Sequence, residues 1–551
     1  MISRRNFFTR GGLLAAGIAT APHVSQSEEK LSARPGQKPK RIIHIVSDGM
    51  SFSTLGLSDL FSRATRQRPL SWMTLMRTEG TANGFMSMRS LNSLVTDSSA
   101  ASSSWGSGSL VVNGALNFLP DGRSLKPLYS LFADKGWARG LVTTAEITHA
   151  TPAGFAASTE WRSSADIIAQ QYLENKIDVL LGGGRQFFIH QHRKDKHDLE
   201  ADYVKAGYEV VHDIATLNMA SLDKPILGTF DIGHLPFTID QKDDAKLMAI
   251  IPTIAQMIEA ALARLEKKGN FILQIEAARV DHAAHNSDAA GAIHDQLALD
   301  EAIDLCMEFQ KRNPDTLVVI TSDHGNSNPG LNGMGHSYTE SSQRFAALAN
   351  VKVSLQTVLQ RLRKGGKELQ IPMFELDHED LLGDAAAAAN KKAMTGVKIK
   401  DPKLTKAAEL THALKIEPRT VRDIIEEATG YRMSIRRATM LSRSLKGENF
   451  STYDQMAPSI TQIGLALANY IGIGWTGNTH TADYVPILAI GPGSERFSGF
   501  LQNTEIFKHY TQLAGIDFEN PTVPLIADAT PYTSDIEDIT RYAYPEPSYY
   551  A

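Results

Sequence analysis

Short apolar runs recur along this chain, each closed off by glycine or polar residues. "RIIHIVSDG" (41–49), "ARGLVTTAE" (138–146), "IDVLLGGG" (177–184), "NFILQIEA" (270–277), "DTLVVITSDHG" (315–325) and "YVPILAIGPG" (484–493) are near-continuous and rich in β-branched residues. Strands of a parallel sheet covered on both faces have this pattern, because neither side of the strand meets water. Between them lie stretches with apolar residues at helical spacing, such as 253–269 and 300–312. The alternation predicts an α/β fold, doubly wound, with a mostly parallel sheet flanked by helices. Residues 336–456 break the rhythm. They are charged, helix-patterned, include an alanine run at 385–389 and lack strand runs. They are expected to form a helix-rich insertion, a cap or lobe, inside one domain spanning 40–551.

Composition narrows the class. The chain has 551 residues, 42% of them hydrophobic, and a net charge of −5, which suits a large core and argues against disorder. A charge this small gives no reason to expect nucleic acid or an anionic membrane surface as partner. The single cysteine, Cys306, excludes an intramolecular disulfide. The N-terminus pairs Arg4 and Arg5, followed by a modestly apolar Gly/Ala-rich stretch from Gly11 to Ala21. That arrangement resembles a twin-arginine export signal, so residues 1–30 are expected to be a signal and leader and the protein to work in the periplasm or outside the cell, exported folded. Beyond this segment the reading finds no apolar run long enough to span a bilayer.

Several strand runs end in reactive side chains: Asp48, then Glu276 followed by Asp281, then Asp323-His324. Sites in open parallel sheets form at the carboxyl ends of strands. In "EAARVDHAAH" (276–285), Asp281 and His285 stand four apart, a spacing that suits a zinc ion but also an ordinary capped helix with surface histidines. "TSDHG" (321–325) and "GNTHTADYVP" (477–486), with His480, add further acid–imidazole clusters. Three such clusters at one sheet edge favour paired divalent ions, the recurring apparatus for displacement at phosphorus.

"VTDSSAASSSWGSG", "SDGM" (47–50), "HATPAGFAAS" (149–158), "EAARVDHAAH", "SDHG" and "HTADYVPILAIGPGSERF" (480–497), in this order, closely resemble the alkaline phosphatase family. The resemblance implies that Ser98, following Thr96-Asp97, is the nucleophile, that Ser99 is a small packing residue, and that Ser102 to Ser104 serve as helix surface or capping. It implies two zinc ions, one held by Asp48, Asp323 and His324 beside Ser98, and one by Asp281, His285 and His480 beside the leaving oxygen. A third ion, magnesium, would be held by Asp48, Thr151 and Glu276. Arg162 falls where the family clamps phosphate, a task its planar fork suits. His149 and His282 occupy positions that vary within the family.

The expected activity is metal-dependent hydrolysis of small-molecule phosphate monoesters through a phosphoserine, with a homodimer left open. A phosphodiesterase on the same scaffold and a non-catalytic phosphate- or metal-binding protein are the alternatives. A sulfatase would need a Cys/Ser-x-Pro-x-Arg motif, and Ser98 is followed by Ser99-Ala100. His44, inside an apolar strand, reads as a core histidine, Gly182 to Gly184 as packing glycines, and Trp475 as support for the His480 turn. His336 reads as an unremarkable loop residue.

Overall fold

A computed structural model describes residues 38–365, 416–446, 448 and 450–525. The signal segment 1–30 and the alanine run 385–389 lie outside the described residues. In chain order the strands are β1 (Arg41–Ser47), β2 (Ala82–Ser87), β3 (Ala138–Glu146), β4 (Val179–Gly183), β5 (Glu209–Val211), β6 (Ile226–Thr229), β7 (Phe271–Ala277) and β8 (Thr316–Thr321). Four two-residue strands follow, β9 (Gly325–Asn326), β10 (Gly330–Leu331), β11 (Ile473–Gly474) and β12 (His480–Thr481), then β13 (Val485–Ile490) and β14 (Gly499–Gln502). All six expected strands are present. Ten strands form one sheet in the order β14-β2-β13-β8-β1-β7-β3-β4-β6-β5. β13 runs antiparallel to both its neighbours, β8 and β2, and the remaining pairings are parallel.

Successive residues of the central strands feed opposite cores, as a pleated strand must. On β1, Ile43 and Ile45 join one apolar cluster while Ile42 and Val46 join the other. The first core is covered by helices that include Ile254–Lys268 and Ala289–Arg312, the second by helices that include Ser98–Ser107, Ala150–Ala156 and Glu505–Leu513. Helix formation follows local chemistry. Ile254–Lys268 starts on a reciprocal Thr253–Gln256 capping box and ends with Lys267 and Lys268, whose charges suit a helix C-terminus. His44 is fully buried, its Nδ1 lies 2.7 Å from the Tyr510 hydroxyl, and burial lowers its pKa to about 3, as befits a core histidine.

The described part of 336–456 is helical: Leu355–Gly365, Pro418–Thr429 and Ile435–Ser444. Val358, Leu362, Val421, Ile425 and Leu441 from these helices enter the first core, so the insertion shares the apolar interior of the sheet's face. One feature departs from the sequence reading. The stretch Ala245–Lys268 is long and apolar enough, by length and composition alone, to cross a membrane. Its apolar side chains Ile254, Met257, Ile258, Ala261, Leu262 and Leu265 are in the first core, and the turn at Ile251 to Thr253 interrupts it.

The Ser98–Ser107 helix is buried along all ten residues, which corrects the expectation that Ser102 to Ser104 lie on a helix surface or serve as caps. Their hydroxyls are absorbed by backbone: Ser102 donates to the Thr151 carbonyl (2.5 Å), Ser103 accepts from Asn117 N–H (2.9 Å) and Ser104 donates to the Ala100 carbonyl (2.9 Å). This helix packs closely against Ala150–Ala156, with only the small Ser102 side chain and glycines at the contact. A Cβ on Gly106 would lie 1.8 Å from the Gly154 carbonyl oxygen, and one on Gly154 would lie 2.2 Å from the Ser102 hydroxyl. Gly106→Ala is therefore expected to push the helices apart, lowering stability by about 1–3 kcal/mol. Thermal melts would show this as a Tm several degrees below wild type.

Candidate active site

The central strands β8, β1 and β7 are neighbours, and each releases an acid at its carboxyl end. Asp48 follows β1, Asp323 follows β8, and Glu276 is the penultimate residue of β7; all three are fully buried. Asp281 and His285 stand on the helix Arg279–His285 that leaves β7. Gly49 lets this helix approach. It has a φ of +65°, and a Cβ there would lie 2.1 Å from Asp281 Oδ1. Its N–H donates to Asp323 Oδ1 (3.1 Å), and Met50 N–H donates to the Ser322 hydroxyl (3.1 Å), tying the β1 and β8 ends together.

Three groups of donors form here, each with its atoms within 4.8 Å of one another: Asp281, His285 and His480; Asp48, Asp323 and His324; and Asp48, Glu276 and His149. In the first, His285 Nε2 lies 3.1 Å from Asp281 Oδ2 and 3.1 Å from His480 Nε2. His285 Nδ1 donates to the Asn478 carbonyl (2.7 Å) and His480 Nδ1 to the Thr96 carbonyl (2.9 Å). Because those carbonyls take the Nδ1 protons, both neutral rings present Nε2 lone pairs to the carboxylate. Three acceptors meeting this closely repel one another unless a cation stands between them, so the donor set fits a divalent ion with nitrogen and oxygen ligands. Asn326 Nδ2 donates to Asp281 Oδ1 (2.6 Å) and orients that carboxylate.

In the second group, His324 Nε2 is 3.2 Å from Asp323 Oδ2, 3.5 Å from Asp48 Oδ1 and 3.0 Å from the Ser98 hydroxyl. The His324 ring stacks on His480 at 3.6 Å, so the first two groups adjoin. Ser98 opens its helix, and Asp97 caps that helix by accepting from Ala100 N–H (2.9 Å). Ser99 points elsewhere: it donates to Asp97 Oδ2 (2.6 Å) and accepts from Gly114 N–H (3.1 Å), so it packs as a small residue and also bonds.

The third group contains the expected oxygen donors plus an imidazole. Thr151 Oγ1 donates to Asp48 Oδ2 (3.3 Å), Thr143 Oγ1 donates to Glu276 Oε2 (2.5 Å), and His149 Nδ1 lies 3.0 Å from Glu276 Oε1. Burial alone would raise the Glu276 carboxyl. The His149 imidazole against it and the hydrogen bond donated by Thr143 outweigh it and hold Glu276 below its ordinary value. Arg162, buried, places Nη1 3.5 Å from Asp97 Oδ2 and Nη2 3.3 Å from His149 Nε2, so it faces the same hollow as Ser98's helix start.

Every site residue expected from the sequence thus lies in one cluster: Asp48, Ser98, Thr151, Arg162, Glu276, Asp281, His285, Asp323 and His324 are buried, and His480 is partly exposed at its rim. His282 lies beside it, with Nδ1 2.7 Å from an Arg279 amino group, and Arg279 also donates to Gln356 Oε1 (2.9 Å) from the insertion. The sequence reading missed Arg279, Asn326 and His234. The His234 ring sits 4.6 Å from His282 and 6.2 Å from His149. Its one sequence signal is its place just after the short strand β6. Gly183 packs as expected, since a Cβ there would lie 2.1 Å from the Gly233 carbonyl beside His234. Trp475 is partly buried against the first core, and His336 is exposed.

The family model described as Alkaline phosphatase matches residues 39–516. The chain is 31% identical over 428 residues to alkaline phosphatase 3 of Bacillus subtilis (strain 168), covering 75% of this chain and 76% of that protein. It is 28% identical over 511 residues to alkaline phosphatase 4 of the same organism, covering 90% and 93%. The crystal structure of Thermus thermophilus alkaline phosphatase is similar with a TM-score of 0.75 at 30% identity, covering 92% of this chain and 98% of that one.

Asn326→Ala removes the hydrogen bond that orients Asp281 without touching a donor atom. It is expected to weaken zinc binding about 10–100-fold, as loss of such an orienting partner does elsewhere. Competition with a chromophoric chelator measures the change.

Proposed function

The chain belongs to the alkaline phosphatase family, a metal-dependent family of phosphatases, and on that premise we propose that it hydrolyses phosphate monoesters through a phosphoserine on Ser98. The observation that carries this reading is the Ser98 hydroxyl, fully buried at a helix start and 3.0 Å from His324 Nε2. In the reading, Asp48, Asp323 and His324 hold one zinc ion, Asp281, His285 and His480 a second, and Asp48, Thr151 and Glu276 a magnesium ion, with His149 within reach of the third. Bound there, divalent ions act as Lewis acids that make alkoxide and hydroxide accessible and neutralise the departing oxygen.

The chain's own residues supply position and charge. The Ser98 Oγ attacks phosphorus in line, forming the Oγ–P bond as the bond to the ester oxygen breaks. The leaving oxygen departs on the Asp281, His285 and His480 side. Water then attacks the phosphoserine, restoring the Ser98 hydroxyl and releasing inorganic phosphate. Arg162 presents its two amino groups to the transferring phosphoryl oxygens, and the first turn of the Ser98 helix adds favourable partial charge. Asp97 holds both the helix start and Arg162, which supports a shared frame for nucleophile and clamp. Export by the Arg4-Arg5 leader to the periplasm or beyond completes the proposal.

Turnover of p-nitrophenyl phosphate tests it. Ser98→Ala is expected to cost at least about a thousandfold in kcat, the scale seen when a nucleophile is removed. Ser99→Ala, which loses only bonds to Asp97 and Gly114, should keep activity within about tenfold. Chelation should abolish turnover and zinc should restore it, with bis(p-nitrophenyl) phosphate the poorer substrate. A dead Ser99→Ala beside an active Ser98→Ala would overturn the register, and zinc and phosphate binding without turnover would identify a non-catalytic binder.

A further inference from the structure

A cavity of about 530 Å³ opens on the first-core side of the sheet, between the helices Phe52–Arg66, Ile254–Lys268 and Ala289–Arg312. Its volume falls in the range of small-molecule sites, and none of the ten site residues named above lines it. Its apolar wall is built from Leu235, Pro236, Met248, Ile254, Leu297 and Ala298, and polar side chains, among them Thr65, Thr144 and Gln241, line the rest. Met248 and Ile250, at 40% and 52% exposure, continue that apolar surface into solvent.

One end is cationic. Lys242 Nζ lies 3.3 Å from His294 Nε2, and as the ammonium can only donate, His294 accepts there and stays neutral. Burial, with Lys242 and Arg66 nearby, lowers the His294 pKa to about 3, consistent with that assignment. The His294 ring stands edge-on to Phe61 at 5.7 Å, forming an aromatic floor. Arg66 gives one amino group to Glu301 (2.8 Å), whereas among the described residues no carboxylate is within ion-pair distance of Lys242. Of the two lining acids, Glu301 pairs with Arg66, and Asp295 accepts from the Thr238 hydroxyl (2.8 Å) while burial raises it to about 7. Thr253 to Ala255, the first turn of a fifteen-residue helix, also face the cavity. The capping box satisfies the Gln256 N–H, which leaves those of Ile254 and Ala255 without an intrahelical acceptor.

We propose that this cavity is a second, non-catalytic binding site for a small amphiphilic anion. Its carboxylate or phosphonate head sits at Lys242 and Arg66, and its apolar body lies along Leu235, Met248, Ile254 and Leu297. Lys242 is exposed at the mouth of the cavity, so a neutral ligand would forgo its charge, and a fully polar anion would leave the apolar part of the wall wet. The chemistry requires both halves.

Fluorescence titration of the full-length, metal-loaded enzyme with 8-anilinonaphthalene-1-sulfonate tests this, with inorganic phosphate saturating the catalytic cleft. Saturable binding is expected, displaced by decanoate and by decylphosphonate. Decanol should displace the dye at least about tenfold less well, and decyltrimethylammonium should not compete, because the head must pair with Lys242. Lys242→Glu and Ala298→Trp, which reverse the charge and fill the space, should each weaken dye and decanoate binding at least about tenfold. Turnover of p-nitrophenyl phosphate should stay at the wild-type rate in both, which separates a lost cavity from a lost fold. No saturable binding in the wild type, equal competition by decanol, or unchanged binding in Lys242→Glu would overturn the proposal. Should Ala298→Trp fail to fold, the Lys242→Glu result decides.

Discussion

Four carboxylates, those of Asp48, Glu276, Asp281 and Asp323, are packed out of contact with solvent at one edge of the sheet. Burying charge this densely is among the most expensive things a fold can do, and the cost is tolerable only where opposite charge is supplied. Imidazoles and hydroxyls meet part of the demand. The rest is a standing preference for cations, built in by the scaffold and independent of any substrate. From that one constraint follow the need for glycine at position 49, the orienting bond from Asn326, and the acceptor carbonyls that set the tautomers of His285 and His480.

Topology turns this constraint into a site. β8, β1 and β7 are adjacent, so the acids at their ends are neighbours without help from long loops. The reversed strand β13 brings the chain in from the opposite direction, and the small β12–β9 ladder pairs His480 with Asn326. The residue that stacks on His324 and the residue that steers Asp281 are thereby locked in register. Parallel strands alone would not place a ligand from that side.

Much of this was legible in the sequence, and the reasons for the exceptions are physical. The six strands read correctly are long and near-continuously apolar. β2 (ANGFMS), β5 (EVV), β6 (ILGT) and β14 (GFLQ) are short or broken by glycine and polar residues, and only pairing makes them strands. The donors at strand ends converged because strand ends do so in this topology. Ser102 to Ser104 misled because a run of hydroxyls looks solvated, whereas each found a backbone or side-chain partner inside. His149 was read as a variable neighbour, yet its ring lies against Glu276. Arg279 stands one helical turn before His282 and reaches it locally, but an arginine in that position carries no mark of its own; His234 follows a strand too short to read, and it meets His282 only once that distant segment has packed.

The contact through Gly106 and Gly154 has a mechanical meaning. With Gly106 against the Gly154 carbonyl and the Ser102 hydroxyl bonded to the Thr151 carbonyl, the two helices have little room to slide, which holds the serine at the head of one near the threonine on the other. Alignment at that level does not depend on how the peripheral segments are built. The insertion reaches the reactive centre by another route, through Gln356 on Arg279 and from there His282, so a change in that segment is felt at the imidazole before it can disturb the serine and threonine.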